Sequence, residues 1–314
     1  MTANEETTRL SSVKKPRDDN VVGKDSCSVS NTDVGPSTSV PACAKNGWAG
    51  RDTDKDVVRQ IMWDRLVQGG WNIGPTHHCI PNFVGADVAA WRLSQTEAWH
   101  RARTVKCNPD PPQYSVRLRA LYDGKILYAP VPYLTRDFPY LRLDPVQLQQ
   151  QGITFELAAT SQGFVTHGQR IDFYGVAEGH LDFCVVGSVA VSRDGGRTGK
   201  GAGFADLETG IFRELGVIDE QSVMATTVHS CQLVQEGEQG DPPIVMRSHD
   251  SPLDLIATEQ ELVVVADNND QKQPRPRGIA WEQVREDQFE SIPFLRALRD
   301  KMTQTAMNTS KLAT

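Results

Sequence analysis

No apolar run in these 314 residues approaches the ~18 consecutive residues that a helix needs to cross a bilayer. The sequence therefore offers no membrane span. The six cysteines, Cys27, Cys43, Cys79, Cys107, Cys184 and Cys231, contain no CxxC pair. Their scatter predicts reduced thiols rather than a disulfide framework or a zinc ribbon. Positive charge is also short, with 33 Lys and Arg against 40 Asp and Glu and a net charge of −7. That balance argues against broad nucleic-acid binding and leaves room for a local basic stretch at Arg101, Arg103, Lys106, Arg117 and Arg119. Large apolar residues are scarce in the first fifty positions, where Ser, Thr, Asp, Asn and Pro dominate. Such a segment cannot bury enough surface to offset its ordering entropy, so residues 1–50 are expected to form a disordered tail. It lacks the apolar centre of a secretory signal, and Glu5, Glu6, Asp18 and Asp19 count against a mitochondrial presequence. A cytoplasmic location is the resulting expectation.

Order is expected from about residue 51 to 302, with 303–314 as a flexible tail. "TDKDVVRQIMWDRLVQGG" carries Val57, Val58, Ile61, Met62 and Leu66 at helical spacing, with Thr53 read as the cap and Gly69-Gly70 as the stop. "SQTEAWHRAR" predicts a second helix opened by Ser94 and Glu97 as a capping box. The eight-residue separation of Trp91 and Trp99 predicts that both face the core. "VRLRALYDGKILYAPV" gives a helix or strand, a turn at Asp123-Gly124, and a strand to Val131. "LDFCVVGSVAV", Leu181 to Val191, reads as a strand covered on both faces, which suggests a parallel sheet flanked by helices. "DLETGIFRELG" is a helix closed by Gly216. "MATTVHSCQLV" and "LDLIATEQELVVVA" add strands, with His229 and Cys231 sharing one strand face. "SIPFLRALRDKM" is a final helix capped by Ser291. Alternating strands and helices predict a layered α/β fold with a mostly parallel sheet.

The stretch "GGRTGKGAGFADLE" follows the apolar strand. Gly196, Gly199, Gly201 and Gly203 free the backbone to turn and to approach an anion with no Cβ in the way. A strand, a glycine loop and a helix together present main-chain N–H groups to phosphate. Arg197 can grip a phosphate bidentately, Lys200 can supply a point charge, and Asp206 can hold Mg²⁺ beside them. A Walker loop is excluded because Asp194 and Gly201 stand where Gly and Ser or Thr are required. The dinucleotide fingerprint is excluded by Phe204 and Asp206. A glycine-rich surface turn with solvated charges remains the plain alternative. His77-His78-Cys79 invites a zinc reading, but adjacent residues rarely converge on one metal.

The loop resembles the GxRLGxGxGYYD motif of 5-formyltetrahydrofolate cyclo-ligases. "KDVVR" (Lys55, Arg59) resembles the K-x-x-x-R of that family's first helix, and "DGKILYAPV" its G-K-x-V-x-x-P strand. Gln232 matches its glutamine after the next strand, and "HDSPLDLIATE" its H-D-x-P-V-D-x-V-x-T-E. "IPNFVGAD", "VKCNPDPPQYSVR" and "GKGAGFADLE" resemble the divergent methenyltetrahydrofolate-synthetase-domain branch. The resemblance implies an α/β sandwich of the NagB/RpiA/CoA-transferase-like type. It also implies ATP- and Mg²⁺-dependent conversion of 5-formyltetrahydrofolate to 5,10-methenyltetrahydrofolate. Carried over by position, Lys55, Arg59, Gly196, Gly199, Gly201 and Gly203 would hold ATP, and Arg197 and Lys200 would be catalytic. Asp206 and Asp254 would take the metal, and Asp110 and Phe204 would meet the folate.

Departures fall on the substrate side. The family's Tyr-Tyr-Asp is Phe204-Ala205-Asp206 here, and Thr198 replaces a leucine. Gly187 to Ser192 replaces a P-G-x-A-F-D run, and Asp110 stands for a glutamate. The alternative is therefore a non-catalytic homologue that binds a nucleotide, a folate-like ligand, or RNA through residues 101–119.

Overall fold

The central β-strands are mostly apolar on both faces, and the two faces feed different cores. The computed structural model describes residues 51–131, 139–177, 179–235, 240–265 and 274–312. The expected tail 1–50 lies outside the described residues. In chain order, helix α1 (Thr53–Gln68) precedes the short strands β1 (Asn72–Ile73) and β2 (Asn82–Phe83). Then come α2 (Ala86–Ser94), α3 (Glu97–Arg101), β3 (Thr104–Cys107), α4 (Tyr114–Tyr122), β4 (Ile126–Pro130) and β5 (Tyr140–Leu143). Next are α5 (Pro145–Gln150), α6 (Phe155–Ala158), α7 (Ser161–His167), β6 (Gln169–Ile171), α8 (Phe173–Ala177) and β7 (Phe183–Val185). The remainder comprises β8 (Ala190–Val191), β9 (Arg197–Thr198), α9 (Phe204–Glu214), β10 (Val223–Thr227), β11 (Leu255–Ala257) and β12 (Leu262–Val264). Two helices close the chain, α10 (Glu286–Ser291) and α11 (Pro293–Leu312), so 303–312, expected as a tail, continue a helix.

Eight strands form one sheet in the order β12-β11-β10-β7-β3-β4-β5-β6. The central five, β11 to β4, run parallel, while β12, β5 and β6 pair antiparallel at the margins. This is the mostly parallel, layered α/β fold expected from the sequence. Side-chain alternation divides the strands between two cores. Val105, Leu127, Phe183, Val185 and Ala225 join α2, α4 and α7 on one face. Tyr128, Cys184, Met224 and Ile256 join α9, α10 and α11 on the other. Helix α1 packs through Val58, Met62 and Trp63 on a third, smaller cluster with Val189 and Ala190 of the β8 segment.

Several local expectations change. Asp52, not Thr53, caps α1 by accepting from the Lys55 amide at 3.2 Å. Thr96, not Ser94, caps α3. The chain breaks between α2 and α3, so the helical phase does not carry across: Trp99 is core, while Trp91 is 48% exposed. The long apolar strand ends at Val185, because Gly187-Ser188 redirects the chain into the β8–β9 hairpin. His229 and Cys231 lie not on a strand but at the start of a 3₁₀ turn, where the His229 ring accepts from the Cys231 amide. Ser291 ends α10 and donates to the Asp287 carbonyl instead of capping α11. Cys107, Cys184 and Cys231 are free and buried, but Cys79 is disulfide-bonded, which overturns the all-reduced expectation. Among the described residues, no helix is long and apolar enough to cross a membrane.

Candidate functional site

The site is built where the chain leaves β7. Gly187 comes so near to Asp110 that a Cβ would sit 3.0 Å from the carboxylate Oδ2 and from Ile80. The β8–β9 hairpin turns at Gly195, whose φ of 92° suits glycine. It sets Arg197 on β9 rather than in the loop itself. Arg197 is buried, and its Nη1 donates to the Gly187 carbonyl at 2.9 Å. Its Nη2 donates to both Asp206 oxygens at 2.9 and 2.8 Å. Asp206 also accepts from the Ser251 amide at 3.1 Å. Burial pushes the Asp206 carboxyl up, but the Arg197 charge and the Ser251 hydrogen bond outweigh it and hold the carboxyl below its ordinary 3.8.

The loop between β9 and α9 carries positive φ at Gly201 (101°) and Gly203 (74°). Gly203 is the N-cap of α9 and supplies no side-chain cap, which leaves the first main-chain donors of the helix available to an anion. A Cβ at Gly199 would lie 3.3 Å from Arg197 Nη1, so this glycine is fitted against the guanidinium. Gly196 lies in the hairpin turn, where a Cβ would fall 2.3 Å from Ser192 Oγ.

Helix α1 turns its two cations inward. Lys55 and Arg59 are only 6% and 4% exposed. Arg59 Nε donates to the Gly199 carbonyl at 2.7 Å, and its Nη1 pairs with Asp56. Lys55 Nζ pairs with Asp250, which also accepts from the Arg247 amide at 2.6 Å. Lys200 reaches Asp110 at 3.4 Å. Arg197, Lys55, Arg59 and Lys200 therefore converge on one loop, and each faces an aspartate.

Asp254 is engaged differently. It accepts from the Met224 amide at 2.7 Å and pairs with Arg275 at the start of β10. Phe204 and Ala205 pack half-buried against the core under α9. Among the described residues, no three His, Cys, Asp or Glu side chains form a group that could hold a metal. His77 instead bonds Asp64 at 2.9 Å.

Three features escaped the sequence. Arg285 and Gln288, at the start of α10, stand over Gly203, and Arg285 Nη2 donates to the Ala202 carbonyl at 3.2 Å. Asp250, inside the quoted "HDSPLD", is the partner of Lys55. Lys106 and Glu208 form an ion pair inside the sheet–α9 layer, 1% and 3% exposed, with Tyr140 donating to the same carboxylate. Burial and the adjacent Glu208 charge raise the Tyr140 hydroxyl well above its ordinary value, so it stays a donor. The signal in the sequence was Glu208 in the otherwise apolar face of α9. With Lys106 and Arg117 both interior, the basic stretch 101–119 does not form one continuous surface.

This chain belongs to the 5-formyltetrahydrofolate cyclo-ligase family, whose sequence profile matches residues 53–259. It is similar to the methenyltetrahydrofolate synthase domain-containing protein of Mus musculus, with 35% identity over 255 residues, covering 80% of this chain and 64% of that one. The Bos taurus protein of the same name is 34% identical over 254 residues, covering 80% and 63%. The chain thus spans somewhat under two thirds of the length of these curated relatives. The NMR structure of Aquifex aeolicus 5,10-methenyltetrahydrofolate synthetase aligns with 69% of this chain and 94% of its own, at 14% identity and a TM-score of 0.40.

Proposed function

We propose that the protein binds Mg·ATP at the glycine loop and acts as a cyclo-ligase on 5-formyltetrahydrofolate or a close analogue, giving the 5,10-methenyl product. The observation that carries this reading is the buried Arg197, braced between Gly187 and Asp206 beside the uncapped start of α9. The formamide oxygen is a poor leaving group. Transfer of the γ-phosphoryl group to it makes a good one, and attack by N10 then closes the ring with loss of phosphate. The chain's contribution is position and charge. The amides after Gly203 and the cations Arg197 and Lys200 face phosphate oxygens, with Lys55 and Arg59 behind them. Gly196, Gly199, Gly201 and Gly203 keep side chains out of the way. Asp110, within reach of Lys200, sits on the folate side, and Phe204 borders the same loop.

The described carboxylates make no preassembled metal cage. Asp206 and Asp254 are each held by a guanidinium, Asp206 by Arg197 and Asp254 by Arg275. Magnesium, which is bound by one or two carboxylates together with phosphates in many nucleotide sites, would arrive with the nucleotide, and Asp206 is the nearer carboxylate to the loop.

The test is spectrophotometric. Wild type, given 5-formyltetrahydrofolate and Mg·ATP, produces methenyl absorbance, and Arg197→Ala lowers the rate by about 10²-fold or more, the size of losing one preorganised donor to developing charge. No product from a wild-type protein that still binds ATP leaves the second reading, a nucleotide-binding homologue without the reaction. The half-buried Phe204-Ala205 pair, standing where the family motif has two tyrosines and lacking their hydroxyls, is what favours that alternative.

A further inference from the structure

Residues 274–292 run back along the outer side of α9, from its last turn to its first. They lie outside the span 53–259 that matches the family profile. Toward the end of α9, the Ile279 amide donates to Glu214 Oε1 at 3.1 Å. One turn earlier, Gly210 lets this strap lie close on the helix. A Cβ there would fall 3.2 Å from the Gly278 carbonyl oxygen and from Ile279 Cα. Ile279, Phe289 and Ile292 then share one apolar core with Leu207, Ile211 and Phe212 of α9. The strap is therefore fixed in register along the helix, and that register decides which residue meets the start of α9.

The residue is Arg285. Its Nη2 donates to the Ala202 carbonyl at 3.2 Å, and its Nη1 lies 3.7 Å from the position a Gly203 Cβ would take. Gly203 is the cap of α9, where the first main-chain donors have no intrahelical acceptor. The backbone of Arg285 is held in turn, because its amide donates to Oε1 of the buried Gln288 at 3.1 Å.

The pairing of Arg285 differs from that of Arg197, which is buried against Asp206. Arg285 Nε donates to Asp287 Oδ1 at 3.0 Å, and the two side chains are 36% and 47% exposed. Asp287 also pairs with Arg51 at 3.0 Å. An ion pair so open to water contributes little, whereas the contact of a guanidinium fork with phosphate is among the strong ones. Arg285 can thus exchange Asp287 for an anion at small cost, and Asp287 keeps Arg51.

We propose that Arg285 is a nucleotide-binding residue, which turns from Asp287 to the phosphate chain lying at the start of α9. This rests on the reading of the glycine loop as a Mg·ATP site. It adds to that site a cation delivered by a segment that the family profile does not cover.

Isothermal titration calorimetry of the full chain with Mg·ATP tests the assignment. Arg285→Gln keeps a donor for the Ala202 carbonyl and removes the charge. Arg285→Lys keeps the charge and loses the fork. Arg285→Gln is expected to weaken Mg·ATP at least about tenfold, the size of one charge-assisted hydrogen bond, and Arg285→Lys to recover most of that loss. Arg296→Gln removes one positive charge from α11, where Arg296 pairs with Glu286 on the surface, and is expected to leave the affinity unchanged. Equal weakening by Arg285→Gln and Arg285→Lys would assign the effect to the strap's geometry and overturn the proposal. A loss in Arg296→Gln as large as in Arg285→Gln would assign it to overall charge and overturn it too. A wild type that binds Mg·ATP no more tightly than Arg285→Gln overturns this assignment alone. A wild type that does not bind Mg·ATP overturns the nucleotide reading and this one with it.

Discussion

At the scale of single residues, the interior holds charges that only their partners make tolerable. Arg197 and Asp206 are the first such pair, and Lys106 and Glu208 the second. Removing one member of a buried pair strands the other in low dielectric, a loss of about 3–5 kcal/mol. Glu208→Ala is therefore expected to lower stability by that amount in urea titrations, and Glu208→Gln by less, since the amide oxygen still accepts from Lys106. A loss under about 1 kcal/mol for Glu208→Ala, the range of an exposed pair, would show that Lys106 escapes to water. Residue identities in the glycine stretch were legible in the sequence because backbone freedom and charge are local properties. The inward turn of Lys55 and Arg59 was not. On a helix, cations at i and i+4 read equally well as a solvated face, and only Asp250, 195 positions away, and the Gly199 carbonyl decide the matter.

At the scale of elements, α9 does two jobs. Its first turn faces the loop with Asp206, and its next carries Glu208 into the sheet layer. The left-handed cap at Gly203 joins the two, since a non-glycine residue at φ 74° is strained. Gly203→Ala is expected to cost about 1–2 kcal/mol and to weaken ATP binding, because a strained cap shifts the main-chain donors of the first turn, while the methyl group itself would rest in ordinary contact with Gln288 Nε2 at 3.6 Å and Arg285 Nη1 at 3.7 Å. Equal ATP affinity in wild type and Gly203→Ala, measured by calorimetry, would detach the helix start from nucleotide binding. Helix α9, its stop at Gly216 and the parallel strands followed from apolar periodicity and turn residues. The caps and the β8–β9 hairpin did not. Asp52, Thr53, Ser94 and Thr96 are all competent caps by type, so the choice between neighbours rests on where tertiary packing starts the helix. The break after Ser94 in turn explains why Trp91 lost its place in the core.

At the scale of the whole molecule, ionisation sets the range of pH over which the fold persists. The carboxyls of Asp206, Asp52, Asp182 and Asp241 all lie below their ordinary 3.8, because burial, which pushes each of them up, is outweighed by hydrogen bonds and neighbouring cations. Their contribution is complete above 3.8 and is lost as pH falls through the lower folded values. Burial likewise lowers His229, whose ring stacks on Trp71 at 4.8 Å. Its share is complete above 6.5 and is lost between 6.5 and the folded value. The urea midpoint is expected to decline gently below about pH 6.5 and steeply below about pH 4, and His229→Asn is expected to remove only the first part. A midpoint that rises on acidification would reverse the sign of these shifts. The layered architecture was readable from the sequence as a whole, because strands buried on both faces leave a composition that no helix cap or loop disturbs.

One clasp has a bearing on how the protein is made. Lys55 lies in the first described helix, and its partner Asp250 follows nearly two hundred residues later, after six of the eight strands of the large sheet. A nascent chain emerging from the ribosome cannot finish the anion cradle until the segment before β11 has been translated. The cradle is thus a late product of synthesis, closed by the same event that completes the sheet.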